Sequence, residues 1–207
     1  MHALIRTGAL LLGLALSLTA CTSGAPEPVK LRIATYNLAL TDDQPGAVLE
    51  RLRGEDAQAR KLAAVLQTVR PDIVLLNELD RDEAGETARL FRERYLGVSQ
   101  SGLAPLDYPY AFHAPVNTGE PSGLDLDQNG QPGDAWGFGR HPGQYGMVVL
   151  SRYPIDAEAT RTFQHLRWSD LPGALQPRLP GTDAPWYPAE VWAQLRLSSK
   201  SHWDLPI

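Results

Sequence analysis

The chain has 207 residues, of which 43% are hydrophobic and 21% charged, a composition typical of a globular protein and not of a disordered one. This length allows one ordinary domain, or one domain with long loops. The formal charge of −5 at pH 7 disfavours a high-affinity binder of duplex nucleic acid, because such binders usually present a basic face to the phosphates.

Residues 1–20 predict a bacterial lipoprotein signal peptide. A single cation, Arg6, precedes an apolar core of about a dozen residues, which is too short to span a bilayer comfortably. The sequence LTAC at 18–21 matches the lipobox and predicts cleavage before Cys21, lipid attachment to it, and a tether over 21–29. The expected location is the cell envelope, outside the cytoplasm, with the membrane as a partner. The alternative is an ordinary signal peptide with a cysteine near its cleavage site.

The folded part begins at residue 30, where KLRIATYNL alternates as a strand does. Residues 55–70 predict a helix, because their apolar side chains recur at i, i+3, i+4 and i+7. Residues 73–76 are wholly apolar and predict a short strand inside a sheet. A second helix is predicted over 84–95.

The second half of the chain is richer in loops. Residues 97–144 form a long loop region with one short strand in YPYAFHAPVNTG, and GMVVL at 146–150 predicts a buried strand. EVWAQLRL at 190–197 alternates and predicts another strand. Strand and helix alternate first and strands then dominate, a pattern that indicates helices outside packed sheets.

Three predicted strands end in polar groups, which is where sheet proteins commonly place ligands and catalytic side chains. The first strand ends at Asn37, and the second ends at Asn77 and Glu78, with Asp80 just beyond. The third ends at Ser151 and Arg152. This recurrence predicts one shared rim.

The motifs RIATYNL, PDIVLLNELD and YGMVVLSRYPI, in this order, resemble the opening motifs of the endonuclease/exonuclease/phosphatase superfamily, which is deoxyribonuclease-I-like. NTGEPSGLDLDQNGQPGD and LSSKSHWDLPI resemble a group of its secreted bacterial members. The resemblance covers residues 30–207. It implies an α+β fold of two packed mixed β-sheets flanked by helices, a four-layer α/β/β/α sandwich. It also implies a metal-dependent phosphoester hydrolase of the phosphodiesterase, nuclease or phosphatase type.

The resemblance also implies roles for matching residues. Glu78 corresponds to the carboxylate ligand of Mg²⁺ (or Mn²⁺), and Asn37 to the asparagine that contacts the metal shell or the scissile phosphate. A carboxylate with substrate oxygens is a usual Mg²⁺ environment, and the metal neutralises charge that develops in the transition state. Arg152, Lys200 and His202 are candidate substrate-binding residues, with a surface arginine and a structural histidine as the alternatives.

The stretch DLDQNG at 125–130 has the form of the first half of a Ca²⁺ loop. Its candidate ligands are Asp125, Asp127 and Asn129. The glutamate that would complete an EF-hand is replaced by Trp136, so Asp134 would have to substitute from another direction. The alternative is an acidic surface turn.

Two later family motifs, GD-x-N and S-D-H, are absent from the sequence: GDAW at 133–136 lacks the asparagine and SDL at 169–171 lacks the histidine. We therefore expect residues 30–207 to be the N-terminal portion of the domain, with the C-terminal part of the fold missing. That predicts no assignable general base, impaired activity, and an uncovered apolar sheet face. The acidic charge favours small phosphoesters over duplex DNA as substrates. The alternative function is a non-catalytic, calcium-binding surface lipoprotein on the same fold.

Overall fold

The structure is a computed structural model that describes residues 30–207. The predicted signal peptide at 1–20, Cys21 and the tether at 21–29 lie outside the described residues. No helix between residues 30 and 207 has both the length and the apolar character needed to cross a membrane. The strands are β1 Ile33–Leu40, β2 Ile73–Leu79, β3 Tyr110–Phe112, β4 Met147–Ser151, β5 Arg161–Thr162 and β6 Trp203–Asp204. The helices are α1 Ala47–Arg53, α2 Ala57–Val69, α3 Glu86–Leu90 and α4 Ala189–Trp192, with a π-helix at Phe91–Leu96 and a 3₁₀ turn at Trp168–Asp170.

The first half of the fold matches its prediction closely. Helix α2 starts where the Asp56 side chain accepts a hydrogen bond from the Ala59 N–H at 2.7 Å, the usual way to cap free N–H groups. It ends at Arg70, whose backbone has the left-handed conformation and which precedes Pro71. The predicted helix over 84–95 is also confirmed, although its second half winds as a π-helix. Helix α1 was not predicted, because its seven residues are too short for a clear periodic pattern.

A four-stranded sheet in the order β1-β2-β4-β3 forms the centre of the fold. Strands β1 and β2 are parallel, and β4 runs antiparallel to β2. The helices cover one face of this sheet, where alternate strand residues such as Leu38, Val74 and Leu76 are buried. The opposite face is partly open, and Ile33 there is 69% exposed.

A second, two-stranded sheet pairs β5 with β6. It reaches the first sheet through Trp203, whose ring lies edge-on to that of Phe112 at 5.0 Å between centroids. The expected fold class, mixed α and β with two sheets and helices, is confirmed.

The strand predicted over 190–197 is wrong. The segment begins as the short helix α4 at Ala189–Trp192, which follows Pro188. Val191 and Leu195 are its buried residues, and they lie four positions apart, which is a helical spacing as well as an alternating one. Only its end is extended, where Arg196 bridges to Arg167.

Candidate active site

The parallel pairing of β1 and β2 brings Asn37 and Glu78 to one edge of the sheet. Asn37 pairs with Asn77, and Glu78 follows directly. Both strands leave regular geometry here, because Ala39 has a φ of 45° and Glu78 a φ of 56°. A left-handed backbone is unfavourable for residues other than glycine and often accompanies functional sites. It also turns Glu78 out of the strict strand alternation.

The asparagine side chains at this edge have different surroundings. The Asn37 Oδ1 atom accepts a hydrogen bond from the Ala39 N–H at 2.9 Å, and the side chain is exposed. The Asn77 Nδ2 group donates to Thr35 Oγ1 at 3.1 Å. Asn77 is therefore held within the sheet, as expected for a flanking polar group, whereas the amide nitrogen of Asn37 is open to a ligand.

Glu78 is half-buried, and its carboxylate has no hydrogen bond or ion pair with any residue between 30 and 207. The charge nearby is Lys200, whose Nζ donates to the Tyr145 carbonyl at 2.7 Å. Burial lowers the pKa of Lys200 from its usual value, and the Glu78 carboxylate opposes this by raising it. We call Asn37, Glu78, Tyr145 and Lys200 the rim site. It offers one uncommitted carboxylate and one cation, a combination that suits a divalent metal and an anionic ester.

Asp80 joins the loops that surround the rim site. Its two carboxylate oxygens accept hydrogen bonds from the Tyr145 N–H at 3.1 Å and the Asp42 N–H at 2.9 Å. His141 lies against it, with Nε2 at 3.9 Å from the carboxylate. Burial raises the pKa of Asp80, and the two backbone N–H groups oppose that rise. Asp80 thus connects the loop after β1 to the loop before β4 through two hydrogen bonds.

The third predicted strand end does not belong to the rim. Strand β4 is antiparallel to β2, so Ser151 pairs with Ile73 at the start of β2. Arg152 therefore lies at the opposite edge of the sheet from Glu78, where its guanidinium forms a salt bridge with Asp72 at 3.0 Å. The prediction of one rim shared by three strands is wrong for this strand, because pairing direction is a long-range property.

Lys200 and His202, the two candidate substrate-binding residues near the C-terminal end of the sequence, have different surroundings. Lys200 reaches the rim site, as described above. His202 is exposed, and its ring makes no hydrogen bond within the described part of the chain. The structure does not bring it to Glu78.

The acidic loop, residues 125–134, brings three carboxylates together. One oxygen from each of Asp125, Asp127 and Asp134 lies within 4.8 Å of the others. Asp134, the residue that would have to replace the missing EF-hand glutamate, is thus one of the three. Asn129 holds the turn, since its N–H donates to Asp125 at 3.1 Å and to Asp127 at 3.0 Å. No helix flanks this loop on either side between residues 113 and 146, so it is not an EF-hand.

Sequence reasoning missed two aromatic residues near the rim site. Tyr145 has a φ of 56° and presents its carbonyl to Lys200. Phe138 packs on the Tyr145 ring at 5.9 Å between centroids and is 79% exposed. The flanking glycines of the GFG stretch were the one local signal, since paired glycines indicate close backbone approach.

Comparisons with known proteins agree with the motifs. The profile described as "Endonuclease/Exonuclease/phosphatase family" matches residues 34–205. Among the curated proteins, no match was found. A solved structure, an endonuclease/exonuclease/phosphatase from Beutenbergia cavernae DSM 12333, is 25% identical with a TM-score of 0.34. That match covers 64% of this chain, which spans 28% of the length of the solved protein.

Proposed function

Because the chain belongs to the endonuclease/exonuclease/phosphatase family, we propose that it is a metal-dependent phosphoester hydrolase whose chemistry is centred on the rim site. The family is generally one of hydrolytic enzymes that use divalent metal ions. The observation that carries this assignment is the Glu78 carboxylate, which is half-buried at a distorted strand end and has no hydrogen bond or ion pair with any residue of the described part, 30–207. Glu78 is not among the side chains with buried, unpartnered oxygens, so its carboxylate is accessible and available to a cation, for which carboxylate oxygens are common ligands.

Glu78 and the side chain of Asn37 are the residues that would hold Mg²⁺ (or Mn²⁺). When bound, the metal supplies Lewis acidity and neutralises charge on the phosphoryl oxygens. The donor set fits, because Mg²⁺ is commonly held by only one or two carboxylates and completes its shell with water and phosphate oxygens.

The protein's own groups would bind and orient the ester. Lys200 is fixed by its hydrogen bond to the Tyr145 carbonyl, so its ammonium offers a positioned charge to a phosphate. The uncharged amide of Asn37 donates to a phosphate oxygen without repelling it. The rim site as defined does not include an assigned general base, a group that typically contributes about 10²–10⁴-fold in rate.

Glu78→Gln tests the assignment. We expect it to abolish Mg²⁺-dependent hydrolysis of bis(p-nitrophenyl) phosphate and to reduce the number of Mn²⁺ ions bound by one, measured by electron paramagnetic resonance. Glu83→Gln is the matched control, because Glu83 is an exposed acid in the adjoining loop. Unchanged Mn²⁺ stoichiometry in Glu78→Gln would rule out Glu78 as a ligand even if turnover is slow.

A second candidate function, a calcium-binding surface lipoprotein without catalysis, is favoured by the acidic loop. Asp125, Asp127 and Asp134 are close enough to share one ion, and oxygen-rich sites of this kind suit Ca²⁺. Asn129, the remaining predicted ligand, uses its Oδ1 to accept the Gln131 N–H at 2.8 Å. Asn129 therefore stabilises the turn, and any contact with the ion would be additional.

Calcium binding is measured by thermal unfolding. Millimolar Ca²⁺ should raise the midpoint, because a ligand that binds only the folded state stabilises it, and Asp127→Asn should remove the rise. Asp183→Asn, on a fully exposed side chain, should keep it. If the midpoint does not move at millimolar Ca²⁺, the loop is an ordinary acidic turn. Mg²⁺-dependent hydrolysis separates the enzyme from the non-catalytic candidate.

We propose that the protein acts in the cell envelope, outside the cytoplasm, anchored by lipid on Cys21. The support is the LTAC motif and the apolar segment before it. Mass spectrometry of the protein purified from membranes should show an N-terminal diacylated cysteine. An unmodified N-terminus at another residue would contradict the anchor.

A further inference from the structure

Phe138 is an exposed aromatic residue on an unusually constrained backbone. It lies between Gly137 and Gly139, and the Gly137 N–H donates to the Asn117 carbonyl at 3.0 Å. A Cβ atom on Gly137 would approach the Ser199 carbonyl oxygen to 2.0 Å, and one on Gly139 would approach the Gly119 nitrogen to 2.7 Å. The main chain on both sides of Phe138 is therefore packed against fixed backbone, while its ring is 79% exposed.

The Phe138 ring stands next to the rim site. It packs on the Tyr145 ring at 5.9 Å between centroids, with 36° between the ring planes. The Lys200 Nζ atom lies 5.6 Å from the centroid of the same tyrosine ring. Lys200 thus joins the two features, because the Glu78 carboxylate acts on its charge and its ammonium lies over the Tyr145 ring on which Phe138 packs.

Isolated exposed apolar side chains are common and carry no function by themselves. Phe138 differs because the backbone on both sides of it is tightly packed and a second ring lies beside its own. Proteins that bind unpaired nucleic-acid bases commonly place aromatic side chains beside a positive group. The cation binds the phosphate, and the aromatic ring stacks on the base. An aromatic side chain has only two rotatable side-chain bonds, so ordering it under a flat ligand costs little conformational entropy.

We propose that Phe138 and Tyr145 form a stacking platform for the planar ring of a phosphoester bound at the rim site, which makes an unpaired nucleotide the substrate class. This inference rests on the proposed phosphoester function. A ribose phosphate or another ester without a ring would leave the platform uncovered. A base inside a duplex is already stacked on its neighbours, so the platform favours mononucleotides or single strands. The formal charge of −5 agrees, since it disfavours tight binding of a long duplex.

The test is isothermal titration in Mg²⁺ buffer with two phosphates that differ in the base: thymidine 5′-monophosphate and ribose 5-phosphate. The nucleotide should bind the unmodified protein more tightly than ribose 5-phosphate. In Phe138→Ala this preference should fall by about 5–100-fold, the range expected for the loss of one base–aromatic stack. Phe138→Trp should restore the preference and Phe138→Leu should not, because leucine is apolar but not planar.

Leu175→Ala is the matched control, since Leu175 is 82% exposed on another loop, and it should leave the preference intact. Equal binding of the two phosphates by the unmodified protein overturns the platform and leaves the phosphoester site standing. Binding of neither phosphate overturns both. Rescue by Phe138→Leu would show general hydrophobic contact and would also overturn the stacking role.

Discussion

Asp80 shows how one buried carboxylate can organise a site that it does not enter. Its oxygens accept the backbone N–H groups of Asp42 and Tyr145, which come from loops far apart in sequence. The Tyr145 carbonyl oxygen in turn accepts a hydrogen bond from the Lys200 ammonium. Asp80 thereby fixes the position of the cation that would meet a phosphate.

Asp80→Asn should destabilise the fold by about 1–3 kcal/mol, because the amide Nδ2 cannot accept one of the two N–H groups and leaves it buried without a partner. Urea unfolding measures this loss. Glu83→Gln, an acid-to-amide change at an exposed neighbouring position, should cost little. Equal unfolding free energies for the two variants would show that the Asp80 hydrogen bonds contribute nothing to stability.

His113 makes a pH-dependent contribution to stability. Burial lowers its pKa below the usual 6.5; Arg81 adds to this effect and Asp82 opposes it. Its Nδ1 atom is buried without a partner in the described structure. Below pH 6.5 the unfolded chain therefore binds protons that the folded state does not, so the unfolding free energy falls as the pH drops toward the folded pKa.

His113→Gln should remove that part of the pH dependence. The measurement is urea unfolding in steps from pH 7.5 down to about 5, around the usual histidine pKa. His165→Gln is the control, because His165 is exposed. A slope that persists unchanged in His113→Gln would assign the pH dependence to other groups.

At the scale of elements, the loop between β3 and β4 depends on a close backbone contact at Gly119. Its φ is +69°, and a Cβ atom there would lie 1.9 Å from the His141 carbonyl oxygen. Gly123 in the same loop has nearly the same φ, +71°, but open space around its Cβ position. Substitutions at Gly119 and Gly123 therefore distinguish the cost of a left-handed backbone, which both share, from the cost of a steric clash, which only Gly119 has.

Gly123→Ala should cost about 1–2 kcal/mol, the usual penalty of a left-handed alanine. Gly119→Ala should cost about 1–3 kcal/mol more, because backbone must move to admit the methyl group. Chemical denaturation of the two variants gives the difference directly. Similar losses of unfolding free energy in the two variants would show that the backbone at His141 moves easily to admit the methyl group.

Segment 190–197 explains why one element was predicted wrongly. Its apolar residues alternate, but only Val191 and Leu195 of the first six are buried, and their spacing of four also fits a helix. Ala193 faces solvent. In a segment this short the two periods overlap, so tertiary contacts decided the outcome.

At the scale of the whole molecule, the edge strand β1 carries a strongly exposed apolar side chain. Ile33 there is 69% exposed and lies on the edge strand. Exposed apolar groups on a sheet edge favour association between chains. Ile33 is therefore a candidate contact for association between chains.

Ile33→Thr should reduce concentration-dependent association, measured by size-exclusion chromatography with light scattering. Threonine keeps the β-branched shape that strands prefer while removing apolar area. Val98→Thr, at a residue that is 51% exposed outside any strand, should change association less. Equal behaviour of both variants would place the self-association surface elsewhere.

Local patterns were sufficient to predict α2 and β2, because helical and strand periods are properties of neighbouring residues. They also placed Asn37 and Glu78 toward the ends of β1 and β2, although β1 continues to Leu40 and β2 to Leu79. They also located the acidic loop. The catalytic and ligand roles of these residues stay predictions. The positions of Arg152, Tyr145 and Phe138 followed only from the fold. Strand direction sent Arg152 to the far edge, and long-range packing brought the aromatic pair beside Lys200. Such contacts join residues distant in sequence, so no local period records them.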